Sequence, residues 1–395
     1  ELDVYARFMT TLEREGRLDR AIEYLPDNER LGAMRQHGLG PTRPDLAVLL
    51  AYAKMWLFDE LVNSAAPDDP LFERELFAYF PEPLHRFTQS VVGHQLRREI
   101  IATRLANEIV DTCGVSFVQR AAETSGVDFA TIALAYEAVR RIYNLNDYAA
   151  AIDDLDNKAP ASLQSSLYLE ASRLLREQTF HLLSDAAARE ALTQRGLKGV
   201  VEQYQVAAAE FKTALPDILP EEDAADLDGR YQRWIGDGAP EAVARHAAAI
   251  PALEFAFDIV NLAQETGWSN PGAGGVFFAV GNLFGIDAVR EKAWREPPAD
   301  HFDEIAIRQI IEDLTARQRL LTTRVIAASG AEPKGAPAKW TEKVIGKWSA
   351  GAQDAIAQFE TITAQLDLSG PVSGGKFALY IRQLDALALA TGRQA

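Results

Sequence analysis

Between Gly38 and Val62 the chain leaves its backbone little choice. Gly38, Gly40 and Pro41 end whatever precedes them, Thr42 can cap a new helix, Pro44 suits its first turn, and Asp45 stands at the capping-box distance from Thr42. Behind this entry Leu46, Val48, Leu49, Leu50, Tyr52, Met55, Trp56, Leu57, Phe58, Leu61 and Val62 leave almost no polar face. A helix apolar on all sides belongs among other helices. The stretch therefore predicts the central helix of a helical body.

The same rhythm governs the rest of the chain. A first helix is interrupted near Gly16, and Leu25-Pro26-Asp27 starts a short one reaching about Gln36. Leu71 to Tyr79 reads as another. Leu84 to Val110 reads as the second strong element, with Val92, Leu96 and Ile100 in one row and Ile101, Leu105 and Ile109 in the next. Ser125-Gly126 closes one helix, Asp128 caps the next, and Pro160 opens a long one to about Ser184. Pro216, Pro220, Pro240 and Pro251 divide the following stretch, and Gly267 to Gly275 reads as a mobile loop. Asp303 to Ala328, Trp340 to Leu366 and Gly375 to Ala390 read as three longer helices. No series of β-branched runs alternates with them, as a parallel sheet would require. The expectation is an all-α, multihelical body with antiparallel helix-bundle packing and no Rossmann sheet. Gly196 and Gly199 suggest two subdomains, 1–190 and 191–395, the second ending in a three-helix bundle.

Charge and cysteine content narrow the function classes. The net charge of −17 opposes binding to nucleic acid or to anionic membrane surfaces. No apolar run reaches the roughly 18 residues of a membrane span. Cys113 is the single cysteine, which excludes an intrachain disulfide and a Cys-rich metal site and makes the cytoplasm the expected compartment. The first residues lack Met and read as already helical, which suggests a piece of a longer chain.

Several clusters carry a chemical reading beside a plain one. Asp153-Asp154-Leu155-Asp156 resembles the acidic clusters that hold magnesium against a diphosphate in all-helical terpenoid synthases. Such sites need a second cluster on a facing helix, and none stands out, so a solvated helix face is the simpler reading. Pro271-Gly272-Ala273-Gly274-Gly275 contains Gly-x-Gly without the preceding strand of a dinucleotide fingerprint, and reads as a flexible connection. His181 with Asp185, and His301 with Glu304, each offer two metal ligands where a closed site takes three or four. Arg97-Arg98-Glu99 is either an exposed helix face or an ion-paired contact to another domain.

Gly40-Pro41-Thr42-Arg43-Pro44-Asp45-Leu46-Ala47-Val48-Leu49-Leu50-Ala51-Tyr52-Ala53-Lys54 with Asp59-Glu60-Leu61 resembles a signature of the large bacterial NAD-specific glutamate dehydrogenases. Tyr79-Phe80-Pro81-Glu82-Pro83-Leu84 and Leu96-Arg97-Arg98-Glu99-Ile100-Ile101-Ala102-Thr103-Arg104 continue the resemblance in order. Leu155-Asp156-Asn157-Lys158-Ala159-Pro160 and Phe277-Phe278-Ala279-Val280-Gly281 extend it to later parts of the chain. The resemblance implies the helical C-terminal region of an enzyme that oxidises L-glutamate to 2-oxoglutarate and ammonia with NAD, with a structural, assembly or regulatory role. It implies NAD for the full-length enzyme and no cofactor, metal or catalytic residue in this chain. Neither Lys54 nor Asp45 matches the family's catalytic motifs. Its implied partners are the catalytic domain of the same chain and further copies in a homo-oligomer. Arg43, Asp45, Arg97, Arg98 and Glu99 are the candidate interdomain contact. A stand-alone helical interaction scaffold and a magnesium-dependent terpenoid-synthase-like enzyme are the alternatives.

Overall fold

Helix starts fall where a capping side chain puts them after Asp27, Thr42, Asp128 and Ser269. A computed structural model describes residues 2–296, 301–366 and 373–392, and no strand occurs among the described residues. The chain divides into two compact units, Glu1–Gln205 and Val206–Ala395.

The first unit contains α1 (Leu2–Arg14), α2 (Asn28–Gln36), α3 (Arg43–Val62), α4 (Glu73–Tyr79), α5 (Thr88–Val92), α6 (Arg97–Cys113), α7 (Phe117–Ser125), α8 (Phe129–Ile142), α9 (Leu145–Asp153), α10 (Ala161–Ser184) and the start of α11 (Ala186–Ile218). Asp27 caps α2 through Arg30 N, and Asp128 caps α8 through Thr131 N. The capping box at α3 is complete: Thr42 N donates to Asp45 Oδ2 at 2.8 Å and Asp45 N to Thr42 Oγ1 at 3.3 Å. Helix α3 packs on α6 and α8, and α10 packs on α6, α7, α8 and α9.

Helix α3 is not enveloped as its composition predicts. It buries one four-residue stripe, Asp45, Leu49, Ala53, Leu57 and Leu61, while Met55 stays half exposed. Each fully buried leucine of the stripe is worth about 2 kcal/mol. Off the stripe, Trp56 lies between Phe8 of α1 and Phe129 of α8, so its apolar area is covered from the sides. The expected single element from Leu84 to Val110 is also broken. Gly93 ends α5, and the His94 ring accepts from Leu96 N at 3.1 Å before α6 starts. Only the α6 part of the apolar rows enters the core, Ile100, Ile101, Leu105 and Ile109, while Leu96 at the break is exposed.

The two units meet later in sequence than position 190. Gly196 breaks α11 with φ 69° and ψ 179°, but the helix resumes, and its Leu197, Val200 and Tyr204 are buried. Gln205 then donates to the Arg141 carbonyl at 3.1 Å, which ties this turn to the first unit.

The second unit takes the rest of α11 and α12 (Glu221–Gly236), α13 (Glu241–Leu253), α14 (Ala256–Thr266), α15 (Asn270–Phe284), α16 (Ile286–Arg295), α17 (His301–Ser329), α18 (Thr341–Gly351), α19 (Gln353–Thr363) and α20 (Gly374–Gly392). Pro216 and Pro251 sit inside α11 and α13, whereas Pro220 and Pro240 stand at helix starts. The expected helix from Trp340 to Leu366 is two helices broken at Ala352, so four described helices, α17 to α20, close the unit. Helix α17 packs on α14, α15, α16, α18 and α20.

The glycine run at Gly272 to Gly275 is a buried helix start, not a mobile loop. Ser269 caps α15 by accepting from Gly272 N at 3.1 Å, and Pro271 occupies the first turn. A Cβ on Gly274 would lie 3.0 Å from the Phe211 ring and 3.2 Å from Ile218 Cδ1. The glycines are there because neighbouring side chains occupy the space a Cβ needs. Gly274→Ala is therefore expected to lower stability by about 1–2 kcal/mol through overpacking. Gly229→Ala, in α12 with no neighbour within 4 Å of the added methyl, is expected to raise it by about 1 kcal/mol. Urea unfolding of both variants against the parent chain checks the opposite signs.

Candidate functional site

The five residues singled out from sequence fall at opposite ends of α3. Asp45 is consumed by the capping box at the N-terminus, and Arg43 beside it is exposed and pairs with no described residue. At the other end Arg98 donates to the carbonyls of Val62 and Ser64, at 2.9 and 2.6 Å, and pairs with Asp68. A cation at the last carbonyls complements the helix dipole. Arg97 lies 3.7 Å from Asp68 and 3.9 Å from Glu73. Glu99 is half-buried, and its carbonyl accepts from Thr103 at 2.7 Å. The two groups are roughly 25 Å apart along the helix axis, so the structure does not bring them into one site. Arg97 and Arg98 brace the turn that leaves α3.

Sequence reading missed the polar centre of the first unit. Glu75 of α4, Glu137 and Arg140 of α8 are almost wholly buried, with 3%, 0% and 3% of their surface exposed. Arg140 donates to Glu137 at 2.6 Å and to Glu75 at 2.8 Å, and lies 3.2 Å from Glu108 of α6. Arg104 of α6 reaches Glu75 at 2.9 Å, and Arg141 reaches the other oxygen of Glu137 at 2.5 Å. Arg74 Nε lies 3.5 Å from Glu75 as well, so three carboxylates meet four guanidiniums. Burial alone would raise the Glu75 carboxyl, but the charge and hydrogen bonds of Arg140 and Arg104 hold it below the usual range. The signal available in sequence was Glu137 and Arg140 on the apolar face of α8, one turn apart.

The second unit has its own buried polar groups. Arg290 lies against the Phe255 ring at 4.6 Å, pairs with Asp287 and donates to Gln318, whose amide donates to the Phe277 carbonyl at 2.9 Å. A Cβ at Gly281 would collide with Asp287 and Gln318, so glycine admits this cluster. Partial burial, followed by the charges of Asp287, Asp226 and Glu222, pushes Asp223 up to about 6. Lys212 Nζ is 2.8 Å from His246 Nδ1, and burial, with the lysine beside it, lowers His246 to about 3.

The remaining sequence candidates take structural partners. Asp153 accepts from Tyr168 of α10 at 2.5 Å, and Asp156 from Gln164 at 3.3 Å. Asp185 accepts from Ala188 N at 3.0 Å at the start of α11, and Cys113 is buried, which raises its thiol. The side chains of His301 and Glu304 lie outside the described residues. Among the described residues no group of three or more His, Cys, Asp or Glu could hold a metal ion.

Residues 38–386 match the protein family described as "Glutamate dehydrogenase, C-terminal". The chain is similar to the NAD-specific glutamate dehydrogenase of Halomonas elongata, 32% identical over 82% of this chain and 20% of that protein. It is 29% identical to the NAD-specific glutamate dehydrogenase of Pseudomonas aeruginosa over 97% of this chain and 23% of that protein. With that of Mycobacterium tuberculosis it shares 25% identity over 99% of this chain and 23% of the relative. The chain therefore spans about a fifth of the length of the curated relatives it matches.

Removing one member of a buried ion network strands the others, so Arg140→Met is expected to destabilise the first unit by about 3–5 kcal/mol. Because the folded-state pKa of Glu75 is depressed, its contribution is present above the ordinary glutamate value and is lost as pH falls through the folded one. Asp223 has the opposite sign: its bound proton stabilises at low pH, and that contribution fades as pH rises from about 4 towards 6. Urea unfolding from pH 3 to 8 should show the acid loss diminished in Glu75→Gln and the pH 4–6 decline diminished in Asp223→Asn.

Proposed function

Because the chain belongs to the glutamate dehydrogenase C-terminal family, which it matches over residues 38–386, we propose that it is the helical C-terminal region of a longer NAD-specific glutamate dehydrogenase. In this reading the longer protein oxidises L-glutamate to 2-oxoglutarate and ammonia, and NAD binding and hydride transfer belong to the remainder of its chain. The region described here then acts in assembly or regulation of the catalytic part, within a homo-oligomer in the cytoplasm. The family match carries the reading, and the relatives' names supply the activity. The physical support is that the buried charged groups around Arg140 are spent on each other. Glu75, Glu137 and Arg140 are satisfied within the helices, as groups that hold a scaffold in register are.

The test uses the full-length protein, the isolated region of residues 1–395, and the full-length protein lacking this region. The full-length chain should reduce NAD in the presence of L-glutamate. The isolated region should give no turnover, and its removal should lower turnover at least tenfold or change the oligomeric mass. Turnover by the isolated region would contradict the assignment, and so would a truncated enzyme with unaltered turnover and assembly.

A further inference from the structure

Between α4 and α6 the chain exposes apolar side chains on a hydrogen-bonded base. Tyr79, Leu84, Phe87 and Leu96 are 56%, 41%, 49% and 54% exposed. They are interleaved in sequence with a connected aromatic set. His85 Nε2 lies 2.6 Å from the Phe77 carbonyl and 2.8 Å from that of Phe80, its ring meets the edge of Phe77, and Phe80 contacts both Tyr79 and His94. The helices at either end of this segment are clamped together, α4 to α6, by Glu75 with Arg104 and Glu73 with Arg97. The ridge is therefore held in shape before anything touches it, which removes part of the ordering cost of docking. It is also electrically distinct. In a chain of net charge −17, residues 77–96 contain one carboxylate, Glu82, and one arginine, Arg86, which cancel.

Resting on the proposal that this region is part of a longer enzyme, we propose that the ridge of Tyr79, Leu84, Phe87 and Leu96 is the surface on which the remainder of the same polypeptide docks. Area and length select this occupant over a second copy. Four large side chains about half exposed offer roughly 300–400 Å², well short of the roughly 800 Å² per partner in a stable complex of separate proteins. A segment joined covalently needs no such area, because its effective concentration is set by the chain. The relatives place this region in chains four to five times as long.

To test it, p-benzoylphenylalanine replaces Phe87 in the full-length protein, prepared as a mixture of isotopically light and heavy copies and irradiated. The crosslinks should join Phe87 to peptides outside residues 1–395 and should be light–light or heavy–heavy. Mixed light–heavy products, products confined to residues 1–395, or no product would each overturn the proposal. An equal yield from the same probe at Leu169, exposed elsewhere on the first unit, would overturn it too. Loss of turnover on removing the region, with no crosslink from Phe87, would leave the enzyme assignment standing and reject the ridge alone.

Discussion

The first unit depends on the ion network around Arg140. Taking a guanidinium and two carboxylates out of water costs several kcal/mol per ion, and only close pairing in fixed geometry offsets it. Arg140 satisfies that demand from two helices at once, with Glu137 on its own helix α8 and Glu75 on α4, while Arg104 joins α6 to the same carboxylate. Apolar packing alone tolerates sliding, since one leucine replaces another at modest cost. A slide of α4 or α6 by one turn here would leave a buried charge alone. The network adds little net stability beside the leucine stripe of α3, but it sets the register of three helices.

The second unit reaches close packing by removing side chains as well as pairing them. At Gly274 the absent Cβ lets the Phe211 ring and Ile218 approach α15, and at Gly281 it admits Asp287 and Gln318. Glycine in a helix interior costs about 1 kcal/mol relative to alanine, a cost offset here by contact between helices. The cluster at Gly281 is polar, and Arg290 and Gln318 complete it with hydrogen bonds. Both units thus bury arginine, one by surrounding it with carboxylates and the other by laying it on an aromatic ring.

Local chemistry was legible in the sequence where it acts over four residues or fewer. The caps at Asp27, Thr42 and Asp128 stand where the spacing puts them, and the all-α class follows from the apolar rhythm. Environment was not legible. The composition of α3 predicts a helix buried all round, yet it buries one stripe, because sequence does not reveal how many neighbours arrive. Gly272 to Gly275 reads as a loop because glycine favours turns, and only Phe211 and Ile218, distant in sequence, show why it is helix. The candidate contact residues failed to converge for the same reason: Asp45 and Arg98 serve the two ends of one helix. Glu75 and Arg140 are 65 residues apart, and nothing local marks them as partners.

These constraints meet at the ridge between α4 and α6. Its two ends are anchored by the carboxylates and guanidiniums of the network and its border, Glu75 with Arg104 and Glu73 with Arg97. A loop strung between two independently moving helices would have to be ordered at each docking event, at about 0.5–1.5 kcal/mol for each side chain immobilised. Here that ordering is completed when the unit folds. The Arg140 network and the exposed apolar ridge are therefore two parts of one arrangement, in which buried charge fixes the helices that present uncharged surface.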